Sequence, residues 1–188
     1  MNIERVSHLV KELLVEMGED PSREGLVKTP LRVAKAFEFL TAGYRMNAAD
    51  VVNEAVFESE SNNMIVLRNV EVYSLCEHHM LPFFGKCHIG YIAKSRVLGV
   101  SKLARIADYH ARRLQTQERL TADIAREIMN AVGAEGVGVV MECRHLCMMM
   151  RGVEKQNSMM TTSSVLGSFL SDQSTRAEFL GLLGLAQP

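Results

Sequence analysis

Apolar residues along this chain switch between helical and strand spacing, and that alternation sets its class. Ile3, Val6, Val10, Leu13, Leu14 and Met17 recur at helical intervals, with Gly18 following as a C-terminal stop. After a loop over residues 19–26, broken by Asp20-Pro21 and Gly25, the sequence predicts an N-cap at Thr29 with Pro30 in the first helical position. Val33, Ala36, Phe37 and Leu40 form the stripe of that second helix and Gly43 ends it. From Met64 the period shortens. Residues 64–72 are rich in Ile, Val and Leu and residues 86–93 alternate in twos, so both predict strands. Ser101 and Thr121 read as caps of two helices, the first carrying Leu103, Ile106, His110 and Leu114, the second Ile124, Ile128, Met129 and Val132 with Gly133 behind it. Residues 136–150 form a long β-like run, residues 161–169 a further strand, and Asp172 or Ser174 opens a last helix. The order predicts an α+β chain with a mainly antiparallel sheet, a helical arm over residues 1–45 and a domain over residues 46–188, the two forming one structural unit.

A chain of 188 residues, 47% hydrophobic, suffices for one domain with a real core. Its formal net charge of −1 argues against a broad nucleic-acid-binding face, though not against a local basic cluster aimed at a small phosphate ligand. Met1–Val10 shows no basic region leading into an apolar run, and no apolar stretch is long enough to span a bilayer. The expectation is a cytoplasmic protein without a membrane partner, in which Cys76, Cys87, Cys143 and Cys147 are thiols or metal ligands.

Chemistry concentrates in two places. Cys76-x-x-His79 offers a thiolate and an imidazole within one turn of chain, and Cys143, His145 and Cys147 alternate much further on. If all three lie on one strand they share a face, so any of them can complete a site with Cys76 and His79. Thiolate with imidazole favours zinc over magnesium or calcium. Four protein ligands make a closed structural site, whereas three leave a position open for catalysis. The spare His78 and His145 point to the second, because imidazole moves protons near neutrality. Cys87 reads as a small buried hydrophobe, Cys143 as either that or a ligand, and His8, His88 and His110 as packing or surface residues.

Ser101-Lys102-Leu103-Ala104-Arg105 opens a helix with a hydroxyl and two cations, a set that can cradle phosphates or simply cap and solvate an amphipathic helix. Arg151 follows Cys147 closely enough to bring a cation to the metal, and Lys155 either adds to it or is a surface charge. Gln117-Glu118-Arg119 reads as a loop before the Thr121 helix, and a carboxylate there is suited to the N1–H and 2-amino edge of guanine.

These residues resemble a known family. Gly18-Glu19-Asp20-Pro21-Ser22-Arg23-Glu24-Gly25-Leu26, Thr29-Pro30, Cys76-Glu77-His78-His79, Leu81-Pro82-Phe83, Gly99-Val100-Ser101-Lys102 and Gln115-Thr116-Gln117-Glu118-Arg119-Leu120 are similar, in order, to GTP cyclohydrolase I. His145-Leu146-Cys147-Met148, Arg151-Gly152-Val153 and Thr175-Arg176 with Glu178-Phe179-Leu180 extend the resemblance over nearly the whole chain. It implies the tunnelling fold, an antiparallel sheet with helices on one side, assembled as a homodecamer with active sites between subunits. It implies Zn2+ on Cys76, His79 and Cys147, proton transfer by His78 and His145, and ribose chemistry assisted by Ser101. Gln117 and Glu118 are expected to hold guanine, and Lys102, Arg105 and Arg151 the triphosphate. The implied reaction takes GTP and water to formate and 7,8-dihydroneopterin triphosphate, the entry to folate and pterin biosynthesis. Leu114, where the family often carries proline, departs from the pattern and is expected to extend its helix; Cys143 stands where relatives are apolar.

Overall fold

The computed structural model describes residues 1–60 and 62–184. The chain runs α1 (Ile3–Glu16), α2 (Thr29–Leu40), a 3-10 turn (Ala42–Arg45), α3 (Ala48–Val52), β1 (Val56–Glu58), β2 (Met64–Cys76), β3 (Pro82–Ile92), β4 (Arg96–Leu98) and α4 (Val100–Ala111). It continues through β5 (Leu114–Gln115), α5 (Gln117–Val132), β6 (Gly136–His145), α6 (Leu146–Met149), β7 (Met160–Gly167), α7 (Ser168–Ser171) and α8 (Gln173–Leu183). Two compact units result, Met1–Ala42 and the remainder from Gly43 onward.

The first unit is a helical hairpin. Asn2 caps α1 by accepting from the Arg5 N–H, and Gly18 (φ +86°) follows the Met17 C-cap in a conformation that glycine adopts without strain. Ala34 is its fully buried point. The predicted cap at Thr29 shifts by one. Lys28 occupies the N-cap without a side-chain bond, and Thr29 is already helical. Its hydroxyl turns back to the Gly25 carbonyl at 3.4 Å, so Pro30 rather than a capping oxygen marks this helix start.

In the second unit the sheet order is β5-β2-β3-β6-β7, antiparallel throughout except for the short parallel pair β2–β5. Alternation along β3 sorts its side chains onto two faces. Cys87, Ile89 and Tyr91 join Val137, Val139 and Met141 of β6 in the main core, against Leu103, Ile106 and Ala107 of α4 and Leu120, Ile124 and Ile128 of α5. Each such aliphatic side chain withdrawn from water contributes about 1.5–3 kcal/mol before the entropy of ordering is counted. The long helices α4 and α5 thus share one side of the sheet, as expected. The C-terminal helices add a small cover on the other side, where Phe169 and Phe179 stack edge to face at 5.3 Å. That pair lies directly over Gly90 and Gly138, where an added Cβ meets a phenyl carbon at 2.6 Å. Bare backbone at those two positions is what admits the rings.

Three readings of the sequence are corrected here. Thr121 does not cap α5. Thr116 does, accepting from the Arg119 N–H, while Thr121 is buried mid-helix and donates to the Gln117 carbonyl at 2.7 Å. Gln117, Glu118 and Arg119 are therefore the first helical turn rather than a loop. Ser101 likewise lies inside α4, whose N-cap is Gly99. Leu114 does not prolong α4, which ends at Ala111; it pairs with Leu75 as the first residue of β5. Of the two openers expected for the last helix, Asp172 and Ser174, Asp172 is the cap of α8, accepting from the Ser174 and Thr175 N–H groups.

His110, predicted to be a packing or surface residue, is 7% exposed on α4 and so packs inside. Burial pulls its pKa down from 6.5 to about 4; Asp123 opposes this, while Arg113 and Arg126 reinforce it. Glu127 lies 3.5 Å from its Nε2 but does not reverse the balance. His88 shifts the same way, also chiefly through burial. An imidazole that stays neutral in the fold and protonates near 6.5 when unfolded contributes stability that is complete above that pH. For His110 the contribution is lost as pH falls towards 4, at up to about 1.4 kcal/mol per pH unit. Urea midpoints are expected to drop across that window and to drop less steeply in His110→Gln. An unchanged slope in the variant would remove His110 from this role.

Candidate active site

Two strand ends on either side of β3 build the site. β2 stops at Cys76 and the chain reverses at once, with the Met80 N–H on the Cys76 carbonyl at 2.8 Å and the Cys76 N–H on the Leu81 carbonyl at 2.9 Å. Met80 takes up the strain with φ +55°. This reversal turns His79 back beside Cys76, the His79 Nδ1 lying 3.8 Å from the Cys76 Sγ. Across the intervening β3, β6 ends at His145, and α6 carries Cys147 forward by half a turn. The expectation that Cys143, His145 and Cys147 share one strand face therefore fails at Cys147. Leaving the strand brings its thiol to the other two donors. Donor atoms of Cys76, His79 and Cys147 all lie within 4.8 Å of one another, so this group can hold a metal ion.

The chemistry of the donors fits a cation. Burial pushes the Cys147 thiol up, the Cys76 thiol beside it pushes it further, and Arg151 pulls the other way. Two adjacent thiolates repel unless positive charge lies between them. Cys143 is outside the group. It is 1% exposed in the core, its thiol pushed up to about 12 by burial with Glu142 adding to the rise, and it behaves as a small apolar residue. Cys87 is fully buried with the same consequence.

His145 stands beside the donors in a fixed orientation. Register places it opposite Phe83, and the rings stack at 4.7 Å, 6° from parallel. Its Nε2 meets the Gln117 Oε1 at 2.8 Å. The Gln117 amide nitrogen donates to the Met141 carbonyl at 3.1 Å and the Met160 carbonyl at 2.9 Å, so its oxygen must face the imidazole. An acceptor there requires the proton on the His145 Nε2. Burial lowers the pKa of this imidazole, with Glu118 opposing. Gln117 itself is 1% exposed and fully engaged inside the chain. Glu118, next to it on the first turn of α5, is exposed.

His78 projects outward, its side chain 65% exposed, with Glu77 Oε1 3.9 Å from its Nε2. Arg151 lies 3.2 Å from the His79 Nε2, which leaves Nδ1 as the nitrogen facing the thiols. Lys155 is exposed beyond it.

Ser101, Lys102 and Arg105 do not join this cluster. The far end of α4 abuts the metal strand, where the Ser74 hydroxyl donates to the Ala111 carbonyl at 2.7 Å. Lys102 lies nine residues back along that helix, about 13 Å by helical rise. Its side chain is 5% exposed and its Nζ donates to the Val51 carbonyl at 3.0 Å. Arg105 is exposed and lines a cleft of ≈ 660 Å³ with Tyr44, Asn47, Asp50 and Asp108.

Residues 6–184 match the family model described as GTP cyclohydrolase I. The chain belongs to the GTP cyclohydrolase I family. The "GTP cyclohydrolase 1" of Methylococcus capsulatus is 60% identical over 176 residues, covering 94% of this chain and 95% of that relative. That of Teredinibacter turnerae is 58% identical over 177 residues, covering 94% and 96%. Among solved structures, the archaeosine synthase QueF-Like in the apo form overlaps 57% of this chain and 97% of its own at a TM-score of 0.47 and 17% identity. Membership rests on the sequence matches, and a metal-capable Cys-His-Cys group is consistent with the family. No helix among the described residues is long and apolar enough to cross a membrane.

Sequence reasoning passed over three residues that shape this GTP cyclohydrolase I site. Phe83 stacks on His145, Gln115 is buried at 2% exposure between α4 and α5, and Arg119 reaches across to Glu77. All three stand inside the quoted motifs, but spacing alone gives a ring, an amide or a guanidinium no partner.

Proposed function

We propose that this chain converts GTP and water to formate and 7,8-dihydroneopterin triphosphate with Zn2+ held by Cys76, His79 and Cys147. The observation that carries the reading is the convergence of those three donors beside an imidazole whose tautomer is set by Gln117. Two soft thiolates and an imidazole select zinc over harder cations. When bound, zinc supplies Lewis acidity and lowers the pKa of water in the open fourth position.

The remaining work falls to the protein. His145, with Nε2–H committed to Gln117, offers Nδ1 to take up and return a proton during imidazole-ring opening. His78, exposed on the same rim, is the second proton carrier. Glu118 presents a carboxylate suited to the guanine N1–H and 2-amino pair, while Gln117 serves recognition through the residues it holds rather than through its own amide. Arg151 meets the triphosphate from the metal side. Ser101, Lys102 and Arg105 come from a neighbouring copy, Ser101 to the ribose and the two cations to phosphate. Their separation along α4 from the Cys76 end supports sites between subunits, and the family resemblance supports a homodecamer. Lys102 keeps two further N–H donors besides the one given to Val51. A cytoplasmic setting with reduced thiols completes the reading.

Incubating the zinc-loaded protein with GTP is expected to release formate and an oxidisable, fluorescent pterin in equal amounts. No product at full zinc occupancy sinks the proposal and leaves a protein that binds zinc for structure.

A further inference from the structure

Arg119 and Glu77 have no part in the chemistry assigned so far, yet they tie the site to the interior. The Arg119 Nε donates to the Gln115 Oε1 at 2.7 Å, and its Nη2 donates both to the Leu114 carbonyl at 3.0 Å and to the Glu77 Oε2 at 2.5 Å. Gln115 is anchored in turn, its amide donating to the His110 carbonyl at 3.2 Å and to the Asp123 Oδ2 at 3.4 Å. Glu77 is gripped a second time through its backbone, the N–H donating to the Gln115 carbonyl at 3.0 Å. Its free carboxylate oxygen faces the His78 Nε2 at 3.9 Å, and the other ring nitrogen of His78 lies 3.8 Å from the Cys76 Sγ. Guanidinium, carboxylate, imidazole and thiol thus follow one another in a line from α5 to the metal group.

We propose that Arg119 is a positioning residue which, through Glu77, holds the reversal between β2 and β3 and sets the His78 ring at the rim of the site. This rests on the assignment of His78 to proton transfer given above. An ion pair this exposed, with Arg119 and Glu77 side chains at 47% and 32%, adds little to stability. Its effect is geometric. The planar guanidinium makes three bonds in fixed directions to two elements at once, which the single ammonium of lysine does not reproduce. The charge of Arg119 also offsets a carboxylate that would otherwise stand unpaired one residue from a thiolate ligand. His78 has no packing of its own comparable to the Phe83 stack and Gln117 bond that hold His145. Its orientation depends on Glu77.

The test compares Arg119→Ala, Arg119→Lys, Glu77→Gln and the Arg119→Ala/Glu77→Gln pair in zinc-loaded protein. Amide exchange over residues 77–81 is expected to speed up by about 10-fold in Arg119→Ala, with exchange over β6 unchanged. The kcat for GTP should fall by about 10- to 100-fold, the range for a catalytic group displaced by an ångström or less, while KM stays within about 3-fold. Arg119→Lys should recover part of that loss. The double variant should lose no more than the worse single, since the two residues act as a unit. Exchange and kcat at parent values in Arg119→Ala overturn the inference. So does a rise in KM with kcat unchanged, which makes Arg119 a substrate contact. If the parent yields no formate, the proposed reaction is what fails, and the exchange measurement still decides whether Arg119 holds the loop.

Discussion

Replacing Cys147 with alanine is expected to strip the protein of zinc and abolish turnover, while Cys143→Ala retains both. The two cysteines are four residues apart and chemically identical, but the structure treats them differently. Cys147 lies beyond the end of β6 with its thiol against Cys76 and His79. Its loss leaves a two-donor site, a larger injury than removing a supporting partner, which already costs roughly 10- to 100-fold in metal affinity. Cys143 is sealed in the core at 1% exposure. Truncating it deletes one sulfur from an apolar contact, at about 1 kcal/mol of stability. Metal content after dialysis against a weak chelator, read beside formate release, separates the outcomes. Zinc lost from Cys143→Ala, or kept by Cys147→Ala, would falsify the three-donor assignment.

His145→Ala is expected to keep full zinc occupancy and lose about 10²- to 10⁴-fold in kcat, the usual worth of a positioned proton-transfer group. The imidazole engages Gln117 and Phe83 and does not belong to the donor group. Removing it should therefore spare the metal. It also leaves the Gln117 oxygen buried without its donor, so some loss of stability accompanies the loss of rate. His145→Gln restores a donor to that oxygen but no titratable nitrogen, and should recover stability without recovering turnover. Zinc falling together with activity in both variants would make His145 a ligand and favour a closed site.

Much of this fold was legible because its signals are long. The helical stripes of α1 and α5 and the alternation of β3 each run through several periods. Gly133 (φ +60°) after α5 and Asp172 before α8 are stop and start signals that the backbone obeys. Short features escaped. β5 has two residues and β1 and β4 three each, too few for any periodicity to register. Thr116 and Thr121 offer equal capping chemistry, and what decides between them is that Thr121 is needed inside, where its hydroxyl meets Thr162 at 2.7 Å. At the site, residue types and spacing gave Cys76 and His79 but left Cys143, His145 and Cys147 open. The distinction depends on where β6 ends, and a β-like run that continues to Met150 does not announce its own end. Nor does sequence show that the Gln117 amide points inward, because that follows from carbonyls on β6 and β7 that only folding brings together.

The two histidines flanking the metal group are held to very different degrees. His145 is clamped between an aromatic face and a buried amide, which together restrict the orientation of its imidazole. His78 is 65% exposed and held from one side only, through Glu77, so its ring keeps more freedom than that of His145. Under the proposed function, one site thus pairs a tightly held proton carrier with a loosely held one. A reaction that opens one ring and closes another moves its reacting atoms by several ångströms between steps. A tightly held group serves one of those positions, and a group held from a single side can lean with the substrate towards the next.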